Sequence, residues 1–218
     1  MAGPERLREL LERLGPTFVK VGQYLALRPD LIPQEYCDEL LRLLDRVPPF
    51  PWEEARAIIE DELGEIGHAF AEIDAKPLAA GSLSQAHRAR LHGGGEVVVK
   101  VQRPGVREAV RRDLGRARTI ARVLELARVP LVVEPRELVT ELRAWMLQEL
   151  DLERELANMQ KLRELAADSE IMRIPRAYPD LSGKRVLTAE YIHGMPLSTL
   201  LGSLRTGRED PGSLSART

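Results

Sequence analysis

Cysteine occurs once in the 218-residue chain, at Cys37. That excludes an internal disulfide and a cysteine metal site, and it fits a reducing compartment. The four histidines (His68, His87, His92, His193) lack metal-ligand spacing. A net charge of −2 carries no basic surplus, which argues against a general nucleic-acid binder. No apolar run approaches ~20 residues, so no segment reads as a membrane span, and the N-terminus lacks a signal-peptide core. Aromatic residues are few. Lysine is scarce too: Lys20, Lys76, Lys100, Lys161 and Lys184 stand against 27 arginines. Where arginine serves as the generic cation, a lysine marks a position that favours a compact point charge over a planar fork.

One such lysine sits in the run Glu96-Val97-Val98-Val99-Lys100-Val101-Gln102, after the glycine triplet Gly93 to Gly95. The valines predict a half-buried strand. An ammonium inside it either snorkels to water from an edge position or meets an anion, because an unpaired buried charge is costly.

Leucines at 7, 10, 11 and 14 predict a helix over 5–14, ended by Gly15-Pro16. Further helices are expected over 17–27, 34–46 and 52–63, with Val47-Pro48-Pro49-Phe50-Pro51 as a rigid linker and Gly64 as a stop. Residues 70–80 read as extended, Ala79 to Gln85 as a loop of small residues, and Ala86 to Leu91 as a strand. With the lysine strand these form an antiparallel meander. Residues 106–128 read as a helix. From Val101 to Arg128 eight arginines oppose three carboxylates, which gives either a solvated face or one turned to an anionic membrane. A long helix is expected from Pro135 to Ala166. Leu138, Leu142, Trp145, Leu152, Leu156 and Met159 form its apolar stripe, with Glu149 in the middle and Glu155 on the border. The two glutamates lie about 120° apart around that helix and should address different partners. Pairing Lys100 with Glu155 and Lys20 with Glu149 satisfies all four charges; the alternative is that a glutamate reaches solvent where the helix frays or kinks. Two strands, 174–178 and 185–191, follow around a turn at 181–184, and 202–218 read as a disordered tail.

A meander with a small-residue loop, a lysine on its third strand and a helix glutamate facing it is the plan of a protein-kinase small lobe. The expected fold class is therefore α+β: a kinase-like small lobe, with an antiparallel sheet and an αC-type helix, after an all-helical N-terminal extension, and with the large lobe absent. The expected division is 1–64 for the extension, 65–201 for the lobe with its basic helical insert, and 202–218 for the tail.

The motifs resemble the UbiB/AarF (ADCK-type) atypical kinase-like family over about residues 10–200. Lys20-Val21-Gly22-Gln23, with Arg28-Pro29-Asp30-Leu31-Ile32-Pro33 behind it, is similar to that family's KxGQ signature. Pro77 to His87 is similar to its alanine-rich loop, Val99 to Gly105 to its lysine strand, and Glu149-Leu150-Asp151 to its ExD motif. Val186 to Gly194 is similar to the strand into the hinge. The resemblance implies five catalytic candidates: Lys100 holding nucleotide phosphates, Glu155 orienting it, and Lys20, Glu149 and Asp151 in an extension laid across the cleft. It implies nucleotide contact at Ala79, Ala80, Gly81 and Ser82, and backbone groups of Glu190, Tyr191 and Ile192 at the adenine edge. The implied cofactor is ATP or ADP with Mg²⁺. The implied setting is isoprenoid quinone (ubiquinone) biosynthesis, cytoplasmic or peripheral to the inner face of a membrane. The implied partners are an anionic membrane surface or quinone-biosynthesis proteins, and no nucleic acid.

Gly81 departs from the family's usual alanine and allows closer backbone approach. No catalytic-loop aspartate with its asparagine and no Asp-Phe-Gly is present, so the magnesium ligands are not expected in this chain. As read, it is the front half of an enzyme, cut past the hinge and unable to complete phosphoryl transfer by itself. The alternative is a non-catalytic module whose extension and basic helix bind a protein or a membrane.

Overall fold

The computed structural model describes residues 3–44, 48–127 and 134–194. The expected tail at 202–218 lies outside them. Three helices open the chain: α1 (Gly3–Leu14), α2 (Pro16–Leu25) and α3 (Gln34–Leu40). The helix expected over 34–46 tightens into a 3₁₀ turn at Leu41–Leu44, and 45–47 lie outside the described residues. These elements share a core of Leu11, Val19, Ala26, Leu40 and Leu43.

Next come α4 (Trp52–Leu63) and the short α5 (Ile66–Ala69). The sheet follows: β1 (Glu72–Ile73), β2 (Ala79–Ala80), β3 (Ser84–Arg90), β4 (Glu96–Gln102) and, later, β5 (Val186–Glu190). Its order is β1-β3-β4-β5, with β2 also paired to β3, and every pair is antiparallel. The expected loop from Ala79 to Gln85 is shorter than the sequence reading, because Ala79 and Ala80 pair with Ala86 and Gln85. Only Gly81 to Leu83 lies between strands. Residues 174–178 make one isolated bridge, Ala177 to Ala189, rather than a strand. The Arg176 amide donates to the Glu190 carboxylate at 3.0 Å and the Thr188 amide to Ser182 Oγ at 3.0 Å, so side chains take the two donors that would extend the ladder.

Alternation along β4 sorts the sheet's faces. Val97, Val99 and Val101 are fully buried against Ile58 and Ile59 of α4, with Phe50 and Phe70 completing the cluster. Burying a valine contributes about 1.5–3 kcal/mol, so this face holds α4 to the sheet. A polar chain crosses the same core. Gln85 Oε1 accepts from the Phe50 amide at 3.0 Å, and Gln85 Nε2 lies 2.9 Å from His87 Nε2. His87 Nδ1 lies 2.8 Å from the Asp74 carbonyl. That carbonyl can only accept, so Nδ1 carries the proton and Nε2 accepts from Gln85. Burial of the ring pushes the His87 pKa down.

Helix α6 (Val106–Leu126) packs Val106, Val110 and Leu114 on Leu142, Met146 and Leu150. Its arginines at 111, 112, 118 and 122 are exposed. The long helix expected from Pro135 to Ala166 is two: α7 (Pro135–Glu149) and α8 (Leu152–Leu165). Asp151 is the N-cap of α8, its Oδ1 accepting from the Arg154 amide at 2.9 Å. In one continuous helix that amide would bond Leu150 O. A capping aspartate in mid-pattern therefore overrides the apolar stripe. Among the described residues no helix is long and apolar enough to cross a membrane.

Candidate functional site

The face of the sheet opposite α4 carries Lys100. Register places Ala86 and Leu187 beside it, and Arg88 and Ala189 beside Val98. The surface around the ammonium is therefore mostly small or apolar. Lys100 Nζ donates to Glu155 Oε1 at 2.8 Å and Oε2 at 2.7 Å. Both side chains keep a third or more of their area in solvent, 33% and 39%. An ammonium has three N–H donors, so one is left for another anion.

The second lysine meets the second glutamate. Lys20 Nζ lies 3.1 Å from Glu149 Oε2 and 5.1 Å from the centre of the Trp145 ring. The break between α7 and α8 lets two glutamates six residues apart reach lysines on different elements. Asp151, between them, caps α8 and makes no ion pair among the described residues.

The neighbouring motif residues serve this arrangement. Gly22 is buried where α2 crosses α1 and the 3₁₀ turn; a Cβ there would stand 2.8 Å from Leu11 Cδ1 and closer still to Leu43 Cδ1. Gln23 Nε2 donates to the Leu43 carbonyl at 2.9 Å. Gly22 and Gln23 thus seat the helix that carries Lys20.

In the loop, Ala79 and Gly81 are exposed and Ser82 is buried. The Gly81 amide closes the turn onto Ser84 O at 2.7 Å. The amides of Ser82 and Leu83 have no acceptor among the described residues. Arg103 braces the loop from outside, donating to Gly81 O at 3.1 Å and Pro48 O at 2.8 Å. At the far edge the Glu190 amide is taken by Arg176 O and the Tyr191 amide by Glu96 O. Of the three expected edge residues, Ile192 alone has an amide without an acceptor among the described residues. The Glu190 carboxylate turns away from the sheet. The Arg176 amide at 3.0 Å and the Arg173 guanidinium at 2.5 Å hold its pKa below the usual range.

Gln102, Arg107 and the Leu150 carbonyl were missed by sequence reasoning. Gln102 Nε2 donates to Leu150 O at 2.9 Å, and Arg107 Nη2 to the same oxygen at 2.6 Å. The one available signal was a glutamine closing an apolar strand. Among the described residues no group of three or more His, Cys, Asp or Glu side chains is placed to hold a metal.

Residues 42–214 match the ABC1 atypical kinase-like domain. The chain is 44% identical to a probable protein kinase UbiB of Pseudomonas putida over 214 residues, covering 97% of this chain and 39% of that protein. It is 44% identical to the counterpart in Marinobacter nauticus over 196 residues, covering 89% and 36%. The Xylella fastidiosa protein is 43% identical over 193 residues, covering 88% and 35%. The chain thus spans 39% or less of these curated relatives' lengths. Among solved structures, the complex of Rv3197 with erythromycin from Mycobacterium tuberculosis superposes with a TM-score of 0.60 at 29% identity, over 84% of this chain and 46% of that one.

Proposed function

Since the chain belongs to the ABC1 atypical kinase-like family, we propose that the Lys100 face of its sheet binds ATP or ADP. In this reading it is the nucleotide-holding part of a UbiB-like kinase or ATPase that serves isoprenoid quinone (ubiquinone) biosynthesis. The observation that carries the reading is the Lys100–Glu155 pair. An ion pair this exposed is worth at most about 1 kcal/mol, so it does little for stability. What it does is fix an ammonium, with a donor to spare, over a small apolar surface.

The residues fit a nucleotide. Ala86, Val98 and Ala189 offer a flat apolar bed for a base. Lys100 and the amides of Ser82 and Leu83 offer donors for phosphate oxygens. When bound, ATP supplies the phosphoryl group. Lys100 would neutralise developing charge on it, and Glu155 would keep Lys100 from swinging away. Lys20, held by Glu149, keeps the extension against the lobe.

The test is a thermal shift with ADP or ATP and magnesium. A rise in Tm that Lys100→Ala abolishes supports the reading, since a ligand of the native state stabilises it by mass action. No shift in the wild type, or an equal shift in Lys100→Ala, refutes it.

A second reading rests on α6. Arg111, Arg112, Arg118 and Arg122 are exposed and make no ion pair among the described residues, and Ile120 and Val123 of the same helix are 60% and 57% exposed. Basic residues interleaved with apolar ones suit an anionic membrane surface, which would make the protein peripheral. Retention on anionic but not neutral vesicles tests it. Quinone-biosynthesis proteins are the other proposed partners, and nucleic acid is not among them.

A further inference from the structure

The bond from Arg154 N to Leu150 O that would join α7 and α8 is absent, yet both of its members are satisfied. The Arg154 amide is taken by Asp151 Oδ1. The Leu150 carbonyl is taken by Gln102 Nε2 at 2.9 Å and Arg107 Nη2 at 2.6 Å. Gln102 is almost fully buried, and Arg107 Nε donates to its Oε1 at 2.7 Å. The glutamine amide is thereby oriented, its oxygen facing Arg107 and its nitrogen facing Leu150. Arg107 Nη2 also reaches Lys184 O at 3.0 Å, on the approach to β5. One guanidinium and one amide therefore join the end of the lysine strand, the start of α6, the helix break and the entry to β5.

Geometry explains why the break matters. Without it, Glu149 and Glu155 would sit on one rigid rod, about 9 Å apart along its axis. With it, α8 takes its own direction from Asp151 onward, Glu155 reaches Lys100, and Glu149 stays on α7 with Lys20.

We propose that Gln102 and Arg107 are positioning residues: their shared hold on the Leu150 carbonyl sets the α7–α8 break, which aims Glu155 at Lys100 and Glu149 at Lys20. This rests on the nucleotide reading in so far as the aim of Glu155 matters for binding. Gln102 lies two residues beyond Lys100 on the same strand, so the strand that presents the lysine also fixes the helix that presents its partner. A planar guanidinium suits the job. Arg107 serves the Gln102 oxygen from Nε and two carbonyls from Nη2, a spread of donors that the single nitrogen of a lysine lacks.

The experiment measures ADP affinity and backbone hydrogen exchange for the wild type, Arg107→Ala, Gln102→Leu and Arg107→Lys, with Arg107→Ala repeated in a Glu155→Gln background. The expected result is a loss of roughly tenfold to a hundredfold in affinity for Arg107→Ala, the scale of a misplaced site group. A smaller loss is expected for Arg107→Lys. In the Glu155→Gln background the further loss should shrink to about threefold or less, because residues acting as one unit are not additive. Exchange should quicken at residues 150–156 while the sheet core keeps its protection. Equal losses in both backgrounds, or unchanged exchange at 150–156, overturn the proposal. If Arg107→Ala does not fold, Gln102→Leu and Arg107→Lys carry the same comparison. If the wild type binds no ADP, the nucleotide reading falls, and the exchange pattern alone upholds or overturns the positioning role.

Discussion

Replacing Gly22 by alanine sets two known effects against each other, and the structure says which wins. In an open helix the change gains about 1 kcal/mol, the propensity difference between the two residues. At Gly22 the added methyl meets Leu11 Cδ1 at 2.8 Å and lies closer still to Leu43 Cδ1. Carbon atoms prefer about 3.5–4.0 Å, so each leucine must retreat by roughly 1 Å. Both are buried, at 6% and 3% exposure, so each must shift within the packed core rather than out into solvent. Overpacking of this kind costs about 1–3 kcal/mol, and a double clash belongs at the upper end. The net expectation is a destabilisation of about 1–2 kcal/mol, which lowers Tm by roughly 2–8 °C in a chain of this size. Gly115 is the internal control. It lies within α6 with nothing within 4 Å of an added Cβ, so Gly115→Ala should raise Tm. Chemical denaturation of both variants reads the difference directly. If Gly22→Ala is as stable as the wild type or more so, the close seating of α2 on α1 and the 3₁₀ turn is not what the glycine is for.

Asp151→Ala should cost about 1 kcal/mol through loss of the α8 cap, and Asp151→Asn should restore most of it; calorimetry on the two variants tests the capping role. His87 should make stability pH-dependent. Burial lowers its folded pKa below the ordinary 6.5, so the unfolded chain binds the proton more readily. Its contribution is then fully present above 6.5 and is lost as pH falls from there through the folded value. A protonated Nε2 would also point an N–H at the Gln85 amide nitrogen. Urea midpoints between pH 7 and 5 should fall more steeply for the wild type than for His87→Gln, and parallel profiles would count against a His87 pKa lowered by burial. Gly81→Ala should leave stability near that of the wild type, because Ser84 O, at 3.4 Å, is the nearest atom to the added Cβ. A loss of several degrees in Tm would show that the loop needs the glycine.

Much of the fold is written locally. The valine run around Lys100, the glycines before it and the alternation of the preceding strand specify a hairpin through burial and turn geometry, and both are properties of near neighbours. The two pairs of opposite charges were legible for a related reason: lysines and glutamates at apolar positions need partners, and only a few pairings exist. Other features needed distant atoms. Helix α4 falls within the expected 1–64 extension but buries its face on the sheet, because the face with Val97, Val99 and Val101 requires a cover. Residues 174–178 have strand composition but pair little, since the Glu190 carboxylate and the Ser182 hydroxyl take the Arg176 and Thr188 amides that a ladder would use.

The helix break draws the line between the two kinds of information. The sequence by itself determined that residues 135–166 are helical, that an apolar stripe runs along them and that two glutamates lie at its centre and border. It did not determine that the rod ends at Leu150. That carbonyl could accept from the amide four residues on, or from Gln102 and Arg107, which stand 48 and 43 residues away. Asp151 makes the second choice affordable by taking the freed amide. Helical periodicity reports which side chains face a core, and it carries no information about which distant donors will compete for a backbone carbonyl. Only tertiary structure brings those donors within reach, and so only it decided where the two glutamates point.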